Sequence, residues 1–206
     1  MRDQIVMRRL GGIGRCAMNT QQLLSIFFAF VLIASGSASP STGGPRKSPE
    51  FTIHEPSGKT TMLSSLNGKV VVLEFLFIRS EHCLRVARML NKLQGELGSR
   101  GFQPVGITFD PPNGNTGVQL VSYMVDYFKL TYPIGYSAKA DVDTYLGRSG
   151  NQTLNIPQIV VIDRTGMIRA TSGGPGGDPK LEDENSLRNL INNLLEEGKA
   201  SSPNRR

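Results

Sequence analysis

Cys83 is one of two cysteines in the 206-residue chain, the other being Cys16. Its neighbours are the residues a thiol needs to react. Ser80 lies three positions before it, His82 immediately before it, and Glu74 interrupts the apolar run VVVLEFLF a few residues upstream. Thiol chemistry runs through the thiolate, which forms most readily where positive charge is close. A cysteine in the first turn of a helix meets unsatisfied N–H groups and the positive end of the helix dipole. A protonated His82 would act in the same direction. Ser80 suits the cap of such a helix. A carboxyl in an apolar strand has a raised pKa and can serve as a proton acceptor, so Glu74 is a candidate for that role. Once charged, it would also raise the pKa of Cys83. Each residue has a plainer alternative. Cys83 can be a small hydrophobe on the face shared with Ala87 and Leu90. Ser80 can be a cap and nothing more, and His82 a solvent-facing loop residue. Glu74 can reach water at a strand end or pair with an arginine such as Arg79.

Positioning these groups requires a strand, a helix and a second buried strand. Residues 70–77 read as a central strand covered on both faces, because apolar residues run on without alternation. Cys83, Val86, Ala87, Leu90, Leu93 and Leu97 recur at helical spacing, predicting a helix over 83–97 that ends at Gly98 and Gly101. Residues 102–109 form another strand, and Val121, Met124, Val125 and Phe128 mark a second helix. A short strand at 132–135 and a short helix at 141–146 follow. Residues 158–163 and 167–170 make a hairpin around Gly166, and Leu187 to Leu195 a last amphipathic helix. Pro157 stands at the entrance of the hairpin's first strand, a position proline tolerates. The glycines of 173–177 lack the Lys-Ser/Thr of a phosphate loop and read as loop. Asp141 and Asp143 read as a helix start, and His54 as a surface residue. Strands alternating with helices indicate an α/β fold with a central mixed sheet flanked by helices. Residues 51–63 add a small β extension at its N-terminal side.

Charge and length exclude several classes. Net charge is +6, but residues 50–198 carry 14 Lys and Arg against 16 Asp and Glu. The excess basic charge lies at the ends, so the folded part lacks the basic stripe of a nucleic-acid binder. Two cysteines exclude a disulfide scaffold and a cysteine-rich zinc module. No metal or cofactor is expected. At the N-terminus, four arginines precede the apolar run from Leu23 to Ile33, and small residues including Gly36 and Ala38 follow. That arrangement predicts a secretory signal peptide over 1–38, or an uncleaved membrane anchor. The mature protein is then periplasmic or secreted, with Cys83 its one thiol. Arg8-Arg9 leaves the export route, general or twin-arginine, open. Residues 39–49 read as a Pro/Gly/Ser linker, 50–198 as the domain, and 199–206 as a basic tail without order.

GKVVVLEFLFIRSEHC, followed by a helix and then NIPQIVVIDRTGMI, resembles the exported thioredoxin-like redoxins of the TlpA/ResA type, within the AhpC/TSA group. The resemblance covers about residues 50–197 and implies a thioredoxin-like fold. It implies that Glu74 sits where that family keeps a buried acid. It also implies that Ile156-Pro157 is a cis-proline lining a substrate groove, with His82 beside it. Where the family has C-x-x-C this chain has Ser80-Glu81-His82-Cys83, and Gln158 replaces the usual Thr. A self-contained dithiol reductase is therefore not expected, because a serine hydroxyl cannot attack a disulfide. The leading expectation is a thiol:disulfide oxidoreductase acting through Cys83 alone, with an external reductant and with protein or small-molecule thiols and disulfides as partners. A second is a one-cysteine peroxidase, since Ser80-x-x-Cys83 also resembles the peroxiredoxin spelling. Leu76 stands where that pattern has proline, and its later arginine is missing. A third is a redox-inactive binding module that keeps the groove.

Overall fold

The computed structural model describes residues 45–109, 115–174 and 176–200. The signal-peptide reading of 1–38 lies outside these residues, as does most of the expected basic tail. β4 (Val70–Leu76) runs through the middle of the sheet with every residue buried. β5 (Phe102–Thr108) pairs with it in parallel on one side, and β7 (Gln158–Ile162) antiparallel on the other. β8 (Met167–Thr171) folds back on β7 through a turn at Gly166. On the far side, β6 (Ile134–Tyr136) runs parallel to β5. Next to it lies the N-terminal hairpin of β2 (Thr52–His54) and β3 (Thr60–Met62). With β1 (Arg46–Lys47) on β8, the sheet order is β1-β8-β7-β4-β5-β6-β2-β3.

Alternate residues of β4 enter two separate cores. Val70, Val72 and Leu76 pack with α1 (Glu81–Leu97), α2 (Asn115–Phe128) and α4 (Glu184–Ala200). Val71, Leu73 and Phe75 pack on the opposite side with Phe51, Leu63 and α3 (Lys139–Tyr145). The period of two in strand side chains makes this division automatic. Glu74 therefore belongs to the face that α1 covers, and its neighbours across the sheet are Gly106 and Ile159. Lys92 and Glu184, 2.8 Å apart, tie α1 to α4, as does the pair Glu96 and Arg188. Exposed pairs of this kind set orientation more than stability.

Two boundaries differ from expectation. Residues 39–49 are not linker throughout, because Arg46 and Lys47 bridge to Ile168 and Met167. The Ser48 hydroxyl also lies 2.9 Å from that of Tyr145, whose burial pushes its pKa up to about 12. The open edge of β8 supplies backbone partners that composition does not reveal. α4 also runs on to Ala200, two residues into the expected tail.

At Gly135, β6 lies close against the N-terminal hairpin. A Cβ there would meet the Ile53 side chain and come within 2.9 Å of the His54 carbonyl oxygen. The backbone oxygen cannot yield as a side-chain tip can. Gly135→Ala should therefore cost about 1–3 kcal/mol, the usual range for overpacking, read as a lower midpoint of thermal unfolding.

Candidate active site

The chain leaves β4 at Leu76 and enters α1 within four residues. The Ser80 N–H donates to the Phe77 carbonyl at 3.1 Å, closing the turn. The Ser80 hydroxyl then accepts from the Cys83 N–H at 3.4 Å and caps the helix. Cys83 occupies the first turn of α1 and is fully buried, with the Phe77 N–H pointing at its sulfur from 3.5 Å. Burial raises the thiol pKa, and the charge of Glu74 adds to the rise. The Ser80 hydroxyl and the Phe77 N–H oppose these effects without overcoming them. The helix start alone would suggest an activated thiolate. Here desolvation dominates, and Cys83 rests as the neutral thiol.

Glu74 is more extreme. Its side chain is completely buried, and among the described residues neither carboxylate oxygen has a hydrogen-bond partner. It does not open to the surface, and it does not pair with Arg79, which is exposed. Burial first, and then the negative charge of Glu182, hold its pKa well above the ordinary carboxylate range. Tyr132 is buried close enough to feel the charge of Glu74, and its hydroxyl donates to the Ala87 carbonyl at 3.2 Å. Thr108, on the same face of the sheet, has a buried hydroxyl without a partner among the described residues.

His82 is not placed to activate the thiol. Its Nε2 lies 2.8 Å from Glu182 Oε2, and the side chain is half exposed. Successive helical residues point about 100° apart, so Cys83 facing inward turns His82 outward. Sequence reasoning missed Glu182, which lies a hundred residues from His82 with no local pattern to link the two. It also missed Tyr132, whose apolar surroundings gave no sign of a nearby acid.

The Ile156–Pro157 peptide bond is cis, the isomer the resemblance implies. Pro157 is buried, and Ile156 packs against the core cluster that contains Cys83. Gln158 is buried next, paired with Phe75 in the sheet. Its amide lies against Gly173: a Cβ there would come within 2.5 Å of Gln158 Oε1, the tip of a side chain that can yield. The residues after β8 thus abut the residue that follows Pro157, which their loop composition did not suggest. Asp141 and Asp143 lie in α3, where Asp143 pairs with Lys139 and Arg148. Among the described residues no group of three or more His, Cys, Asp or Glu is placed to hold a metal. Nor is any helix there long and apolar enough to cross a membrane.

This architecture is the thioredoxin fold, and solved structures of thiol:disulfide oxidoreductases share it. A thiol:disulfide interchange protein of the thioredoxin family from Chlorobium tepidum superposes with a TM-score of 0.60 at 21% identity, covering 75% of this chain and 99% of that one. A candidate protein disulfide isomerase from Bacteroides thetaiotaomicron gives 0.59 at 27% identity, covering 78% and 98%. A secreted Mycobacterium tuberculosis disulfide oxidoreductase, homologous to E. coli DsbE, gives 0.54 at 19%, covering 70% and 96%. The chain belongs to the AhpC/TSA family, whose model matches residues 45–171. No curated protein sequence matches it.

Proposed function

We propose that this protein is an exported thiol:disulfide exchange protein that works through one thiol, Cys83, with an external thiol completing the cycle. The observation that carries this reading is the Glu74 carboxyl, buried on the face of the sheet that α1 covers and without a hydrogen bond among the described residues. A buried acid without hydrogen bonds costs stability and does no structural work. Its charge is felt at the buried Cys83 thiol, and there it has a chemical use. Its raised pKa brings it toward the range in which proton exchange with Cys83 is effective near neutral pH.

The reaction balances without a second cysteine. Cys83 passes its proton to ionised Glu74, and the thiolate attacks a disulfide R–S–S–R′. A Cys83–S–S–R bond forms, and R′–S⁻ leaves and takes up a proton. An outside thiol R″–SH then attacks the R sulfur, releasing R–S–S–R″ and restoring the Cys83 thiol. Because the sulfur is fully buried, attack requires the Phe77–Ser80 turn to open first, so exchange is slow and gated.

A small aromatic disulfide tests this, with the adduct located by peptide mass, since Cys16 is also a thiol. Mixed disulfide should form on Cys83 and be absent in Cys83→Ser. Glu74→Gln should slow its formation by about 10²-fold, the lower end for a lost acid–base group. Equal labelling of wild type and Cys83→Ser overturns the proposal.

The full burial of the sulfur favours a second reading, a binding module without exchange. If that holds, Cys83 resists alkylation in the native protein on the timescale of global unfolding, and Cys83→Ala captures partners as well as wild type. The peroxidase alternative draws less support. The charge felt by Cys83 is that of an acid, not the cation a peroxidatic thiolate favours.

A further inference from the structure

Most arginines of the domain are engaged. Arg100, Arg148, Arg164, Arg169 and Arg188 each hold a carboxylate or a backbone carbonyl. Arg79, Arg85 and Arg88 differ: all three are exposed, and among the described residues none has an ion pair. They occupy one region. Arg79 immediately precedes the Ser80 cap, and Arg85 and Arg88 share the outward stripe of α1 one turn apart. An aromatic row continues from them. The Arg88 guanidinium sits 5.1 Å over the Phe128 ring, Phe128 meets Tyr127 edge-on at 4.9 Å, and Tyr127 stacks on Tyr123 at 5.6 Å. Tyr123 and Tyr127 are 64% and 65% exposed, whereas the other aromatic side chains of the described residues, His54 and His82 aside, are buried or half-buried.

We propose that this band is a docking surface for an extended polypeptide segment with spaced carboxylates, leading it toward the Ser80–Cys83 turn. The guanidinium fork matches a carboxylate in two-pronged geometry. Tyrosine rings add rigid contact area at little entropic cost. Exposed Glu81 and Asp126 interrupt the band, and residues 50–198 are net negative. Both features disfavour an unbroken polyanion such as nucleic acid or an anionic membrane, and fit carboxylates separated by neutral residues. Docking does not depend on exchange at Cys83, so the two proposals fail separately.

The test uses a cysteine-free fluorescent peptide with spaced glutamates, its glutamine counterpart, and the full chain. The glutamate peptide should bind about tenfold tighter at low salt, and the difference should shrink as salt is added. Arg85→Glu with Arg88→Glu should erase the preference, and Tyr123→Ala with Tyr127→Ala should weaken both peptides together. Arg46→Glu, a reversal far along the sheet, should leave the preference intact. A preference that survives the Arg85/Arg88 reversal overturns the proposal, as does equal loss on reversal of Arg46. Tighter binding to oligothymidylate or phosphatidylglycerol vesicles, in competition with the peptide, also overturns it.

Discussion

Glu74→Gln is expected to remove a fall in stability that the wild type shows as pH rises above about 4.3, the ordinary glutamate value. The sign follows from proton binding. The folded pKa of Glu74 is raised by burial and by the charge of Glu182. Between the unfolded and folded values, the folded state therefore binds more protons than the unfolded chain. Stability then decreases with pH by roughly 1.4 kcal/mol per unit across that window, and levels off above the folded pKa. Below pH 4 wild type and Glu74→Gln should be similar, and the variant should gain steadily through the window. Glu74→Leu should be the most stable of the three at neutral pH, because it removes both the buried charge and the unmade hydrogen bonds. Denaturant unfolding at a series of pH values measures all three. A constant difference between wild type and Glu74→Gln would mean that Glu74 is hydrated or paired in solution, and Glu74 would lose its role in the exchange.

The contrast between Glu74 and His82 shows what the sequence could and could not reveal. Glu74 was legible as a lone acid among seven apolar residues, although whether it is desolvated, reaches water or pairs with an arginine depends on where the strand lies in the sheet. The strands at 70–77 and 158–163 and the helix after Cys83 were legible as well, since periodicity and continuous apolar runs are local signals. His82 was not, because its orientation depends on which way Cys83 faces, and its partner Glu182 is a hundred residues away in sequence. The thiol pKa stays open in the sequence by the same route. A helix start is visible in sequence and lowers a pKa, whereas the packing that buries the sulfur is a tertiary fact and outweighs it here. The bridge of Arg46 and Lys47 to β8 is likewise invisible locally, since a two-residue strand has no period to detect. Gln158 is the subtlest case. In sequence it is a departure from the resemblance, and its neighbour Gly173 lies in a loop that composition alone marks as filler.

Ser80→Cys should convert the site into a reducible dithiol. Residues i and i+3 at a helix start have Cβ atoms about 5–6 Å apart, close enough for a disulfide after a small rotation of the first turn. The Ser80 backbone is already extended, with its N–H held by Phe77 and its side chain directed at the Cys83 N–H. The new sulfur would therefore sit at the positive end of α1 and outside the core. There the helix dipole acts without the desolvation that dominates at Cys83, so its pKa should fall below that of a free cysteine. Two thiols in unlike environments are what a dithiol cycle needs: an exposed one that attacks and a buried one, Cys83, that resolves with Glu74 taking the proton. Oxidised Ser80→Cys should hold no free thiol at 80 or 83 and regain both on reduction. It should reduce a protein disulfide in the presence of dithiothreitol at least about 10²-fold faster than wild type, because resolution becomes intramolecular. The reduced variant should lose about 1 kcal/mol, the usual cost of a missing serine cap. Adding Glu74→Gln to Ser80→Cys should slow turnover without preventing the bond from forming. If the bond fails to form under oxidised glutathione, α1 does not begin where the Ser80 cap places it, and the assignment of Cys83 as the resolving thiol fails with it.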